Sequence, residues 1–149
     1  MARSRAVESN FVFRDAWFDG ALEGGRVDRS RLLSSRRQFV ENLFGSDYVL
    51  CTRGGGNYSI RFYEALSAGR IPVFVNTDCV LPFGEWIDWK QHCVWVERGD
   101  IARAAERVAE FHEALSPGEF KERQRACRRL WEEWLSPGGF FKNLRRYFE

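Results

Sequence analysis

The stretch Tyr48-Val49-Leu50-Cys51-Thr52-Arg53-Gly54-Gly55-Gly56-Asn57-Tyr58-Ser59-Ile60-Arg61-Phe62-Tyr63-Glu64-Ala65-Leu66-Ser67-Ala68-Gly69-Arg70-Ile71-Pro72-Val73-Phe74-Val75 decides the fold. Tyr48 to Cys51 is a short, continuous apolar run, which is how a strand buried on both faces reads. Arg53 to Ser59 is a glycine-rich turn. Ile60 to Ser67 reads as a short amphipathic helix with Ile60, Tyr63, Ala65 and Leu66 on its apolar side, and Ala68-Gly69 ends it. Ile71 to Val75 is a second buried strand. Pro72 lacks a donor N–H, so it belongs near the start of that strand or at a bulge. Strand, loop, helix, strand in this order is a crossover unit, and such units pair their strands in parallel.

Working outward, Asn76 to Trp89 is a long connection with an aromatic-rich centre, and Cys93 to Val96 reads as a third strand. Asp100 stands where an N-cap is expected for a helix over 101–115, with Ile101, Ala104, Ala105, Val108, Phe111 and Leu115 spaced by threes and fours. Ser116-Pro117-Gly118-Glu119 has the form of a capping box with Pro at the first helical position. It opens a helix with Phe120, Cys127, Leu130, Trp131 and Trp134 apolar, expected over 120–134. Ser136-Pro137-Gly138 repeats the start signal for a last helix carrying Phe140, Phe141, Leu144 and Phe148. Upstream, Asp28 to Phe44 has a helical face interrupted near Ser34 and Ser35, with Gly45 as its stop. Asp15 to Asp28 reads as loop, and Asn10 to Phe13 as a short first strand. Spacing thus gives an alternating α/β unit followed by a helical tail over 100–149.

Composition bounds what such a chain can be. Its 149 residues point to one domain, and 44% hydrophobic content is too high for disorder. No apolar run reaches the 18 or more residues of a membrane span. Met1 to Asn10 is polar and carries no secretory signal, so a cytoplasmic location is expected. A net charge of +2 is too small to argue for nucleic acid. Cys51, Cys79, Cys93 and Cys127 form no CxxC, and His92 and His112 complete no zinc spacing, so no metal is expected. The cysteines read as buried or free thiols of a reducing compartment.

Ligands of an open parallel sheet bind beyond the carboxyl ends of its strands, where the 53–59 loop lies. Its glycines let backbone approach a ligand, and the helix behind it offers free N–H groups to an anion. Arg53 and Arg61 flank the loop. Arg61, in the first helical turn, opposes the helix dipole, a cost that a bound phosphate would offset. Glu64, one turn on, could accept two hydrogen bonds from a ribose diol. A plainer reading stands beside this one, in which Arg61 pairs with Glu64 and the glycines only make a turn. The loop is neither a GxxxxGK[ST] phosphate loop nor a GxGxxG fingerprint, because Ser59 takes the last glycine's place. Asp88 reads as a turn residue, His92 as a structural histidine, and Asp78 is undecided.

The pieces Ser46 to Gly54, Ser59 to Leu66, Gly69 to Val73, Leu81-Pro82-Phe83 and Ile87-Asp88-Trp89 stand in an order and spacing that resembles the exostosin domain. The resemblance is clearest over 36–96. Thr52 departs from it, since that family commonly has Pro there. The resemblance implies a Rossmann-like open parallel sheet with flanking helices, one lobe of a two-lobed glycosyltransferase of the GT-B type. It implies inverting transfer from a nucleotide-diphosphate sugar, with no metal or other cofactor. Arg53 and Arg61 would contact the diphosphate, Ser59 and the Gly54 loop would assist, and Glu64 would hold the ribose. The catalytic base and the carbohydrate acceptor would belong to another lobe. A stand-alone module that binds a nucleotide or nucleotide sugar without transferring it is the alternative. A remnant serving as an interaction domain is a third.

Overall fold

The computed structural model describes residues 6–22 and 26–149. Three strands, β1 (Tyr48–Cys51), β2 (Ile71–Asn76) and β3 (Val94–Glu97), form one sheet in the order β1-β2-β3. Both pairings are parallel, with Leu50 opposite Val73 and Val73 opposite Val94. The sheet is flanked by helices and followed by a helical C-terminal region, an open Rossmann-like arrangement. Pro72 is tolerated in the central strand because the β2–β3 ladder starts one residue later, at Val73.

Parallel pairing needs β1 and β2 to be joined by a crossover, and α2 (Ile60–Ser67) supplies it. Phe62 of α2 lies against Phe74 and Trp89 at ring separations of 5.0 and 5.4 Å, so α2 covers the sheet face that carries Cys51 and Phe74. Gly69, at φ +64°, ends α2. The Gly69 N–H donates to the Leu66 carbonyl and the Arg70 N–H to the Ala65 carbonyl, the paired bonds of a Schellman stop. Phe62, Phe74, Phe83, Ile71, Val73 and Val96 are almost wholly buried and define the core.

Three upstream expectations change. Asn10 to Phe13 is not a strand. It runs beside α1 (Arg29–Phe44), where the Asn42 amide donates to the Asn10 carbonyl at 2.7 Å and Arg14 donates to the Ser35 carbonyl. These two bonds hold the segment against α1 and away from the sheet. The helix itself is unbroken at Ser34 and Ser35, and Asp28 caps its start by accepting from the Ser30 and Arg31 N–H groups. Within the expected 15–28 loop, Trp17–Gly20 is a 3-10 turn, and residues 23–25 lie outside the described residues.

Downstream, Asp100 does not cap a helix. Its carboxylate pairs with Arg107 at 3.3 Å, residues Arg98–Arg103 form a 3-10 helix, and α3 (Ala104–Glu113) begins only after it. The Ser116–Glu119 capping box is present and opens α4 (Pro117–Leu130). Trp131–Leu135 then widens into a π turn closed by the Ser136 N–H on the Trp131 carbonyl at 2.7 Å. It leaves Trp134 within 5.4 Å of the Phe83 ring. The last helix, α5 (Pro137–Leu144), starts at Ser136 as its sequence indicates.

This tail holds the 77–88 connection. Phe83 adopts φ +57°, and its N–H donates to the Tyr147 hydroxyl at 3.2 Å. The Trp89 indole donates to the Pro82 carbonyl, and Asp88 accepts from the Lys90 N–H. Among the described residues no helix is long and apolar enough to cross a membrane.

The corner between α4 and α5 tests this packing. A Cβ on Gly139 would lie 2.6 Å from the Glu133 carbonyl oxygen and 2.8 Å from that of Glu132, both backbone atoms. Gly139→Ala is therefore expected to destabilise the protein by about 1–3 kcal/mol. Gly138→Ala, with nothing within 4 Å of its Cβ, is expected to be neutral or slightly stabilising. Urea midpoints of the two variants check this.

Candidate functional site

The glycine-rich turn sits at the carboxyl end of β1, as its position after Cys51 requires. The Gly54 N–H donates to the Tyr58 carbonyl at 3.0 Å, closing the loop on itself. Thr77, just past the end of β2, donates its hydroxyl to the Asn57 amide oxygen at 2.6 Å. The loop is thus tied to the carboxyl ends of two adjacent strands. Asn76 and Glu97 continue the polar rim, with the Asn76 amide donating to Glu97 at 2.8 Å. The Trp95 indole donates to the other Glu97 oxygen, and these two bonds hold the Glu97 carboxyl below its ordinary range.

Arg61 and Glu64 form an ion pair at 3.5 Å on the first turn of α2, both side chains about two-fifths exposed. The Arg61 guanidinium also lies over the Phe39 ring of α1, 4.1 Å from its centre. Arg53 is exposed and makes no ion pair among the described residues. Gly54 is exposed. Ser59 is the N-cap residue of α2, yet its hydroxyl makes no capping bond. It is buried and has no partner among the described residues.

A cavity of about 830 Å³ opens over the other face of β1, lined by Leu50, Val73, Val108, Phe39 and Arg61 among others. Of the five residues singled out in the sequence, only Arg61 lines it. Asp88, read as a turn residue, caps the 3-10 helix Trp89–His92, and His92 is half-buried with its pKa lowered by burial and then by Arg123. Asp78 is an exposed turn residue at φ +58°. Among the described residues no three His, Cys, Asp or Glu side chains gather into a metal site. Phe39, Asn57 and Thr77 were not singled out. Phe39 reads only as one apolar position of a helix, and the Asn57–Thr77 bond joins residues 20 apart with no periodic signature.

A helix N-terminus and a glycine-rich turn stand at the carboxyl end of the parallel sheet, which is where open α/β sheets generally take their ligands. Comparison with known proteins narrows this class. Residues 17–111 match the Exostosin GT47 domain, and the chain belongs to the exostosin GT47 family of glycosyltransferases. It is 38% identical over 95 residues to Exostosin-1 of Drosophila melanogaster, covering 58% of this chain and 12% of that protein. Against the Exostosin-1 homolog of Caenorhabditis elegans the identity is 31% over 110 residues, 74% of this chain and 28% of that one. A probable glucuronosyltransferase of Oryza sativa subsp. japonica is 37% identical over 65 residues, 44% of this chain and 15% of that protein. The chain therefore spans between about an eighth and little more than a quarter of these relatives. No solved structure matches it.

Two outcomes follow from the geometry. The Arg61–Glu64 pair is half-exposed, so Arg61→Ala is expected to cost no more than about 1 kcal/mol of stability, including its contact with Phe39. A thermal or urea melt reads this. Burial raises the thiol pKa of Cys51, and pushes those of Cys93 and Cys127 up to about 12. A thiol-specific reagent at pH 8 is therefore expected to label Cys79, the partly exposed one, well before the other three. Rapid labelling of three or four thiols in the native protein would contradict the packing.

Proposed function

We propose that this chain is a donor-binding lobe of a glycosyltransferase of the GT-B type, holding a nucleotide-diphosphate sugar at the carboxyl end of its sheet. The observation that carries the reading is Arg61 in the first turn of α2, behind the glycine-rich turn, in a chain of the GT47 family. A cation opposes the helix dipole there, and a diphosphate would satisfy both the guanidinium and the free N–H groups. Arg53 and Arg61 contact the diphosphate, the Gly54 loop and Ser59 frame it, and Glu64 receives the ribose hydroxyls. The Ser59 hydroxyl is buried, so it must turn outward to take part.

Transfer is inverting and needs no metal. An acceptor hydroxyl oxygen attacks the anomeric carbon from the face opposite the leaving group. The bond from that carbon to the diphosphate oxygen breaks, and the nucleoside diphosphate leaves with the electron pair. The hydroxyl proton passes to a general base. The arginines and the helix N-terminus stabilise the charge that develops on the diphosphate. The base and the carbohydrate acceptor site belong to a second lobe, so residues 1–149 alone bind donor without turning it over. The unpaired thiols agree with a cytoplasmic, reducing location.

Calorimetric titration tests this with a panel of nucleotide sugars, uridine and guanosine diphosphates, and inorganic pyrophosphate. Arg61→Ala is expected to weaken every diphosphate by about 1.5–3 kcal/mol, the range for hydrogen bonds to a charged group. Glu64→Gln is expected to weaken nucleotides and leave pyrophosphate unchanged. If neither substitution alters binding, Arg61 and Glu64 are only a helix ion pair and the glycines only a turn. Donor binding with no transfer under any acceptor, even when a second lobe is supplied, would favour a binding module.

A further inference from the structure

We infer that Tyr58 is the stacking platform for the base of the bound nucleotide. The inference rests on the donor-site reading above and assigns a residue to the part of the ligand that the arginines and Glu64 leave unrecognised. Tyr58 is 57% exposed, although it is a large aromatic in a loop tied at both ends. Its ring is seated on Gly56: a Cβ there would lie 2.5 Å from Tyr58 Cε1 and 2.9 Å from Cδ1. The loop around the ring is held by one backbone bond and one side-chain bond. The Tyr58 carbonyl accepts from the Gly54 N–H, and Asn57 accepts from Thr77. The Cδ1–Cε1 edge of the ring thus lies against Gly56, and Tyr58 is in none of the aromatic pairs of the described residues, so no other ring stacks on its faces.

A single exposed aromatic is common on protein surfaces and by itself means little. Here three facts act together. The ring stands three residues before Arg61, a span of at most about 10 Å, on the loop that leads into the proposed anion site. Glycine at position 56 is needed for the ring's placement, not merely for the turn. The ring also gives up burial that its apolar body would otherwise gain. A planar base meets such a face over its whole area, whatever its hydrogen-bonding edge, so Tyr58 supplies affinity for a nucleoside without choosing which one.

The test compares wild type with Tyr58→Ala, Tyr58→Phe, Gly56→Ala and the double variant Tyr58→Ala/Gly56→Ala, titrated with uridine diphosphate, guanosine diphosphate and inorganic pyrophosphate. Tyr58→Ala is expected to weaken whichever nucleoside diphosphate binds by about ten-fold, within the range for a base on an aromatic side chain, and to leave pyrophosphate unchanged. Tyr58→Phe keeps the ring and is expected to bind as wild type. Gly56→Ala displaces the ring and is expected to imitate Tyr58→Ala, with no further loss in the double variant. Matching melting temperatures show that the fold survives each change. The inference is overturned if Tyr58→Ala binds nucleoside diphosphate as wild type does while Arg61→Ala loses it. It is also overturned if Tyr58→Ala weakens pyrophosphate equally, since the ring would then only shape the anion loop. If wild type binds none of the three compounds, the donor-site reading fails and this inference falls with it.

Discussion

Phe62 is fully buried between Phe74 of β2 and Trp89 of the following connection, and the geometry of the candidate site depends on that contact. Burying a side chain of this size contributes about 1.5–3 kcal/mol, and it does so at one rotational setting of α2. With Phe62 turned to the sheet, Arg61 must lie at the helix's flank and Ile60 in solvent. The Schellman stop at Gly69 sets where the helix ends, so the chain can turn at once into β2. With both ends defined, the first turn of α2 stands at the carboxyl end of β1. The aromatic contact and the glycine stop therefore position a cationic helix start that neither of them touches.

The same logic extends to the connection after β2. Phe83 takes a backbone conformation that costs a non-glycine residue about 1 kcal/mol or more. It is held there because its ring lies among Trp134, Phe140 and Tyr147, and because its N–H finds the Tyr147 hydroxyl. The motifs Leu81-Pro82-Phe83 and Asp88-Trp89, which help to mark the family resemblance, thus act as structural clamps between the sheet and the helical tail. Their role is to bring the chain from the carboxyl end of β2 to the start of β3, with Thr77 left free to reach Asn57.

What could be read in advance divides along the range of the interactions. The spans Tyr48–Cys51 and Ile60–Ser67 agree residue for residue with the structure, because an uninterrupted apolar run and a helix bounded by a glycine turn and Ala68-Gly69 are local signals. The capping box at Ser116 is local too. Asn10 to Phe13 misled because apolar content says nothing about whether a partner edge is within reach, and here Asn42 and Arg14 draw that segment onto α1. Asp100 misled because its carboxylate could serve either a helix start or a cation one to two turns on, and it pairs with Arg107. At the site, the Arg61–Glu64 spacing was legible as an i,i+3 pair, whereas the burial of the Ser59 hydroxyl and the approach of Phe39 depend on how α1 and α2 meet.

Arg61 is where these constraints converge. Its charge opposes the helix dipole, and two neighbours compensate: the Glu64 carboxylate at 3.5 Å and the Phe39 ring face at 4.1 Å. Neither compensation is strong, because the pair is half-exposed and solvent screens it. The guanidinium is nevertheless held in place by two partners from different helices, so little conformational freedom remains to be lost when an anion arrives. A diphosphate could then take the carboxylate's place as the anionic partner without disturbing the ring contact, and Glu64 would be released toward hydroxyl groups nearby. The proposed donor site would then reuse the partners that the ion pair and the ring contact already hold in place, which is how preorganisation lowers the cost of binding.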